Sequence, residues 1–373
     1  MPNPINVLES ILYKGRTLEI EGMHVWGASP IASPDGRIHV FFSAWDKNAP
    51  HAAWVISCKV YHAVADSVES PFEVTGCVFE GRGGKAWDSW SIHNPSVTCI
   101  DGKYYMVYMG TDGSSLSYDQ ADLSQHILEM QEKGEFKVPE DAANAPASFN
   151  NEIWGCYEKL VESKRVGIAV ADSLDGVWTR LTPADRPTVD VGTMDAWDSV
   201  VVSNPALVKG VDGKIYLYYK SWDWQSWREC HGNRKYGVAI ASSPTSIFEK
   251  YAGNPILDFE FLGHNAQLED ACVFVYQGAF HMIARDMGIK NNSRGVYMHS
   301  SDGIHWSEPE TAYQSLAYYS NELSQGLERE GRFERPQVLM QNGEPTALFC
   351  ALIGGQYGTS TSSIFTLKLK GTQ

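Results

Sequence analysis

The sequence predicts an all-β chain built as a five-bladed β-propeller, and three observations predict it. A stretch of twelve residues occurs twice, as AWDSWSIHNPSV at 86–97 and AWDSVVVSNPAL at 196–207, at an offset of 110. Each copy runs into an Asp-Gly-Lys turn and a Tyr-rich run, 104–109 and 215–219. That is a β-hairpin pattern, because Asp-Gly supplies the positive φ of a tight turn. The same hairpin recurs three more times, so equivalent positions fall at 29, 94, 204, 270 and 335, spaced by 65, 110, 66 and 65. Four antiparallel strands repeated every ~65 residues is the arithmetic of propeller blades.

Taken in order, unit one reads GASPIASPDGRIHVFFSAWD, with Asp35-Gly36 at the turn, a return strand over 38–42, a third strand from Val60 and a fourth over 72–79. Units two and three carry the long repeat, and their third strands start at Val166 and Val238. Unit four, LEDACVFVYQGAFHMIARD, turns at Gln277-Gly278 and has its third strand from Val296. Unit five, FERPQVLMQNGEPTALFCAL, turns at Asn342-Gly343, and the run 7–18 is expected to supply its outer strand and close the ring. Small residues alternate with apolar ones in the third strands, as in strands packed on both faces, and the 3.6-residue period of a helical solenoid is missing. The extra length between units two and three predicts a helical insertion over about 113–160. Its helix spans 119–133, with Leu123, Ile127 and Met130 on one face and Gly134 as the stop. Lid over the site and decoration of the rim are both open for this insertion. Segments 141–150 and 312–331 read as loops, and residues 1–373 as one catalytic domain.

Composition sets outer limits. The 373 residues are 43% hydrophobic, with no apolar run of the length that spans a membrane. A net charge of −15 without an acidic block disfavours nucleic acid and anionic membranes as partners. Seven cysteines, with no C-x-x-C pair, read as reduced and mostly buried fillers, Cys99 and Cys272 among them. Together with a start, MPNPINVLES, that has neither a basic nor an apolar signal region, they predict a cytoplasmic protein, or a periplasmic or secreted one where a signal peptide has been removed. Oligomeric state is left open. Twelve Trp, eighteen Tyr and fourteen Phe suit stacking on sugar rings as well as β cores.

In a propeller the innermost strands converge on the axis, so the residues that open them line one funnel. The hairpin alignment places Ser29, Asn94, Asn204, Asp270 and Arg335 there, preceded by Ala28, His93, Ser203, Glu269 and Glu334. Gathering so much charge at one centre is costly unless it has work to do. Glycoside hydrolysis needs one protonated and one ionised carboxyl flanking the scissile bond, which makes Glu269 and Glu334 the candidate pair and Asp270 an alternative base or a neighbour that shifts their pKa. Asp88 and Asp198 are candidates of second rank, with a structural turn as the competing role. His93 is a candidate for a sugar hydroxyl, for acid catalysis or for a metal ligand, with hydrogen-bonded packing as the competing role. Arg285 and Arg335 suit a carboxylate or sulfate on the substrate, or neutralise the carboxylates beside them. Trp26, Trp87 and Trp197 are candidate stacking platforms, and Asn94 and Asn204 candidate substrate contacts. No ligand spacing demands a metal, and Ca²⁺ or a similar ion in the axial channel is left open.

The five repeats with Asn-Pro or Asp at the start of the inner strand, the Asp-Gly turns, the hairpin over 300–306 and Glu-Arg-Pro-Gln at 334–337 resemble the five-bladed propeller glycoside hydrolases of families 43, 32, 117 and 130. The resemblance covers nearly the whole chain and implies an oligosaccharide substrate. Family 43 places an Asp before Pro in the first blade and again in the next, with an acid Glu in a Glu-x-Pro context. Here Ser29, Asn94 and Asn204 precede Pro, and only Glu334 keeps the Glu-x-Pro form, in the fifth unit. That triad does not transfer intact, and the better match is a relative with rearranged residues, as in family 117, whose proposed acid is a His. The leading expectation is an exo-acting glycosidase that removes a terminal sugar from a plant or algal oligosaccharide. A family 130-like phosphorylase, using Arg285, Arg335 and Lys220 to hold phosphate, and a sugar-binding propeller without catalysis are the alternatives.

Overall fold

The computed structural model describes residues 11–136, 152–230, 233–263, 266–319, 332–357 and 362–369. Strand β1 (Ile11–Leu18) comes first and belongs to the last blade. The first blade is β2 (Met23–Ala32), β3 (Ile38–Asp46), β4 (Lys59–Ala65) and β5 (Glu73–Phe79). Blade two is β6 (Ile92–Ile100), β7 (Lys103–Gly110), β8 (Arg165–Ala171) and the two-residue β9 (Thr179–Arg180); blade three is β10 (Ser203–Lys209), β11 (Ile215–Ser221), β12 (Lys235–Ala241) and β13 (Glu249–Lys250). Blade four is β14 (Gln267–Tyr276), β15 (Ala279–Met287), β16 (Gly295–Ser300) and β17 (Glu310–Tyr313). In the fifth, β18 (Glu334–Gln341), β19 (Glu344–Ile353) and β20 (Ser362–Leu369) are completed by β1, antiparallel to β20 with Ile11 opposite Leu369. The fold is thus an all-β five-bladed propeller closed by its first strand.

Turn chemistry explains the hairpins. Asp101-Gly102, Gln277-Gly278 and Asn342-Gly343 place both central residues at positive φ, the geometry that matches the twist of the flanking strands. At Asp35-Gly36 and Asp212-Gly213 only the glycine is left-handed. Packing explains the ring, because among the described residues each apolar cluster joins two consecutive blades, the one between blades five and one extending into the insertion helices. Phe41 and Val60 of blade one meet Ile92, Met106 and Tyr108 of blade two, and Val107 and Ile168 meet Leu207, Leu217 and Tyr219 of blade three. The series continues through Tyr218 against Met282 and Cys272 against Leu348, and ends where Leu339 and Phe349 pack on Val25 and Phe42. No blade has a core of its own, so the blades stand or fall together.

The insertion holds two helices where the sequence predicts one. Helix α2 (Gln120–Glu132), preceded by the short α1 (Trp54–Ser57), is capped by the Asp119 carboxylate accepting from the Asp122 amide at 2.9 Å and stops at left-handed Gly134. Helix α3 (Glu152–Glu162) buries Ile153, Trp154, Tyr157, Leu160 and Val161, a 3.6-period stripe that the reading of 113–160 as one helix plus loop passed over. Together they pack on Val55 and Ile56 of α1 and on Trp222 and Trp227, the latter in α4 (Trp224–Cys230). Segment 141–150, and 320–331 of the second expected loop, lie outside the described residues.

Each inner strand has a bulge at its entrance, seen as register breaks between Trp26 and Ser29, His93 and Ser96, Ser203 and Ala206, Glu269 and Cys272, and Glu334 and Gln337. The residue opening each bulge is left-handed: Gly27 (φ 56°), Asn94 (52°), Asn204 (48°), Asp270 (58°) and Arg335 (51°). This corrects the alignment in unit one, where Gly27 replaces Ser29 and Trp26 replaces Ala28. Ser29-Pro30 copies the look of Asn-Pro two residues late, and Ser29 instead accepts the Val97 amide of blade two at 2.8 Å. Cys272 does the same for Val338 at 3.4 Å. Cys99, expected as a buried filler, is exposed, whereas Cys58, Cys156, Cys272 and Cys350 are buried thiols.

Candidate active site

The five bulges build a ring across the axis. The Asn94 side-chain amide donates to Asn204 Oδ1 at 3.4 Å, and Asn204 donates in turn to Asp270 Oδ1. Asp270 Oδ2 accepts the Arg335 amide at 3.2 Å, and the Arg335 guanidinium reaches back to the Asn94 carbonyl at 3.0 Å. Gly27 completes the ring because nothing larger fits, since a Cβ there would lie 2.6 Å from Asn94 Oδ1. Arg335 is fully buried, 3.8 Å from Asp270. Its guanidinium thus lies within the axial ring, in the neutralising position that the sequence offered as the alternative to a substrate contact. Its guanidinium supplies the positive charge that Ca²⁺ would bring, and the one carboxylate there is already bound, so these residues do not suit that ion. Burial, then repulsion from Glu269, raises the Asp270 pKa despite Arg335.

The residues just before the ring form an arc of charge on blades three to five. Glu269 Oε1 accepts from Lys220 Nζ and, at 3.3 Å, from Arg234 Nε; its Oε2 lies 3.1 Å from Arg285 Nη1. The same nitrogen donates to Glu334 Oε2 at 2.9 Å, and Arg332 Nε donates to Glu334 Oε1 at 3.1 Å. Burial pushes the Glu269 carboxyl up, but Lys220, Arg234 and Arg285 outweigh it and hold it well below the usual carboxylate range. Glu269 is mostly buried, its side chain 14% exposed. The structure thus brings Glu269, Glu334 and Arg285 into one contact network, with Asp270 beneath them.

Blades one and two face this arc with aromatic groups. His93 stacks on Trp54 at 4.7 Å between centroids and meets Trp45 at 5.8 Å, with its Nδ1 3.2 Å from the Cys58 thiol. Burial, reinforced by Arg335, Lys164 and Lys220, keeps its pKa well below 6.5, so the ring is neutral. Trp26 is buried against His51. Lys164 joins the two halves, its ammonium 5.5 Å from the Trp54 ring and 4.9 Å from the Trp222 ring, where Lys220 and Arg234 also approach.

The repeated Trp-Asp-Ser motif does different work. Asp88 accepts from the Tyr108 hydroxyl at 3.0 Å and pairs with Arg82 at 3.0 Å and with Arg180 of the outer strand at 3.1 Å. Asp198 repeats the arrangement with the Tyr219 hydroxyl at 3.0 Å and Lys250 at 2.6 Å. Trp87 and Trp197 stack on those tyrosines and fill the space left by Gly167 and Gly237. The motif is therefore a clamp across the blade. Asp88, Asp198, Trp87 and Trp197 stand in this clamp, the structural alternative the sequence left open for them, and Asn94 and Asn204 stand in the axial ring.

Sequence reasoning missed Trp54, Lys164, Trp222, Arg234 and Arg332. A signal for two of them was present, in KRVGIAVA at 164–171 and RKYGVAIA at 234–241, where a basic pair opens the third strand of successive blades. Away from the axis, His39, His62 and Asp175 bring three ligating atoms within 4.8 Å. They also form a hydrogen-bond chain, with His39 Nδ1 2.9 Å from His62 Nε2 and His62 Nδ1 2.8 Å from the Thr75 hydroxyl.

No protein-family model and no curated protein sequence matches the chain. Solved structures do. A family 117 glycoside hydrolase produced by the marine bacterium Zobellia galactanivorans aligns over 99% of this chain and 92% of its own, with a TM-score of 0.63 at 16% identity. A family 43 β-xylosidase/α-arabinofuranosidase from a compost metagenome aligns over 96% and 95%, with a TM-score of 0.56 at 15% identity. An endo-arabinase from Bacteroides thetaiotaomicron aligns over 95% and 97%, with a TM-score of 0.55 at 10% identity. At these identities the likeness establishes the fold that the chain shares with these glycoside hydrolases.

Proposed function

We propose that the protein is a glycoside hydrolase that removes a terminal sugar from an oligosaccharide. The observation that carries this reading is the pair Glu269 and Glu334, brought from neighbouring inner strands to one guanidinium nitrogen at the entrance of the propeller, opposite an aromatic wall. One carboxyl must be ionised and another able to give a proton. Glu269, held ionised by three cations, is the base or nucleophile. Glu334 takes the acid role, and protonating it requires loosening Arg285 or Arg332. Sharing one nitrogen keeps their nearest oxygens within about 6 Å, below the ~6.5–9.5 Å of inverting enzymes. Helices α2, α3 and α4 share one apolar cluster with Trp222, whose ring Lys164, Lys220 and Arg234 approach, and helices so close to the charged arc favour a pocket for a chain end over an open cleft.

The test is hydrolysis of 4-nitrophenyl glycosides and defined oligosaccharides by wild type, Glu269→Gln and Glu334→Gln. Each variant is expected to fold and to lose about 10²- to 10⁴-fold in turnover. Full activity in both would remove the pair from the chemistry. The cluster of Lys164, Lys220, Arg234 and Arg285 supports a second reading, a phosphorylase, and activity that depends on added phosphate would favour it.

A further inference from the structure

On the blade-three side of the site, Lys220 and Arg234 share the Glu269 carboxylate, and Lys164 lies beside them against Trp222. Lys164 is 4% exposed, and among the described residues no carboxylate lies within ion-pair distance of its ammonium. Its position is also built. It directly follows α3 and the Ser163 turn, its carbonyl is fixed by the Val202 amide at 3.1 Å, and its ammonium is set between the indoles of Trp54 and Trp222. Burial and the nearby Lys220 disfavour its charged form, a penalty that an anion beside it would remove. A lysine confined in this way is an incomplete ion pair.

We propose that Lys164, with Lys220 and Arg234, receives an oxyanion substituent of the bound sugar, so that the terminal residue accepted is acidic, bearing a carboxylate or a sulfate ester. This rests on the glycosidase reading of the same site. The indoles flanking Lys164 favour a substituent over a free anion. A sugar ring lying against the partly exposed Trp54 presents its substituent to the ammonium beside it, whereas free phosphate needs no aromatic wall. Glu269 beside Lys220 also repels a phosphate dianion more than a singly charged group.

The test is calorimetric binding of methyl glycosides of glucuronic and galacturonic acid, galactose 6-sulfate, the neutral parents and inorganic phosphate to wild type, Lys164→Met and Lys164→Arg. At least one acidic sugar is expected to bind wild type about tenfold or more tightly than its neutral parent. That preference is expected to vanish in Lys164→Met and to return in part in Lys164→Arg, and carboxylate against sulfate identifies the source of the charge. Equal binding of acidic and neutral sugars, no binding of any acidic sugar, or a preference that survives Lys164→Met overturns the proposal. Phosphate that binds together with a neutral sugar also overturns it, by making the anion a separate reactant. Neutral-sugar turnover lost in Glu269→Gln without any acidic preference would sink this inference and keep the glycosidase. Acidic preference without turnover of any glycoside would do the reverse.

Discussion

Arg335 and Gly27 show how a single residue can carry a meaning its neighbours disguise. Both occupy left-handed bulge positions on the axis, yet one brings a buried guanidinium and the other must bring nothing. Gly27→Ala would force a Cβ to 2.6 Å from Asn94 Oδ1 at a φ that L-residues avoid. A loss of about 2 kcal/mol or more in urea unfolding is expected. An unchanged midpoint would mean that the ring tolerates expansion. The axial positions of units two to five were legible because Asn, Asp and the x-Pro pattern recur, and Gly27 was not, because Ser29-Pro30 imitated that pattern. Trp54 and Trp222 escaped for another reason. They reach the site from strand ends and connecting segments, whose path over the funnel no periodicity encodes.

Among elements, the repeated Trp-Asp-Ser stretch was the strongest signal in the chain, and it reports architecture. Its Asp ties the entry of the inner strand to a Tyr on the second strand and a cation on the fourth. That lets outer strands of only two residues hold their edge. Asp88→Ala would leave Arg82 and Arg180 facing a buried gap, and a loss of roughly 3–5 kcal/mol is expected. Asp198→Ala, whose partner Lys250 is partly solvated, should cost less. Both folded variants should bind sugars as wild type does. Stable Asp88→Ala protein with lost binding would return this carboxylate to the site. The helix α2 was legible from its cap and stripe, while α3, bearing an equally regular stripe, was absorbed into a segment read as loop.

For the molecule as a whole, the inter-blade cores make acid sensitivity a collective property. Burial lowers the pKa of His24 and of His62 from 6.5 to about 4, so the native state keeps them neutral while the unfolded chain binds protons first. Stability contributed in this way is complete above pH ~6.5 and declines as pH falls toward ~4, by roughly 3 kcal/mol for each histidine. Thermal melts should show that decline, and His24→Gln should reduce it while leaving the His62 share; a level profile from pH 7 to 4 would contradict the assignment. The repeat spacing made the number of blades legible at this scale, and the two-residue slip in unit one did not disturb it, since a ring is fixed by count and closure. Closure has a temporal side. The strand from Ile11 to Leu18 leaves the ribosome before every other described strand, and its partner β20 leaves after all of them. For the whole of synthesis it waits as an unpaired edge, and four blades must be ready before that edge is covered.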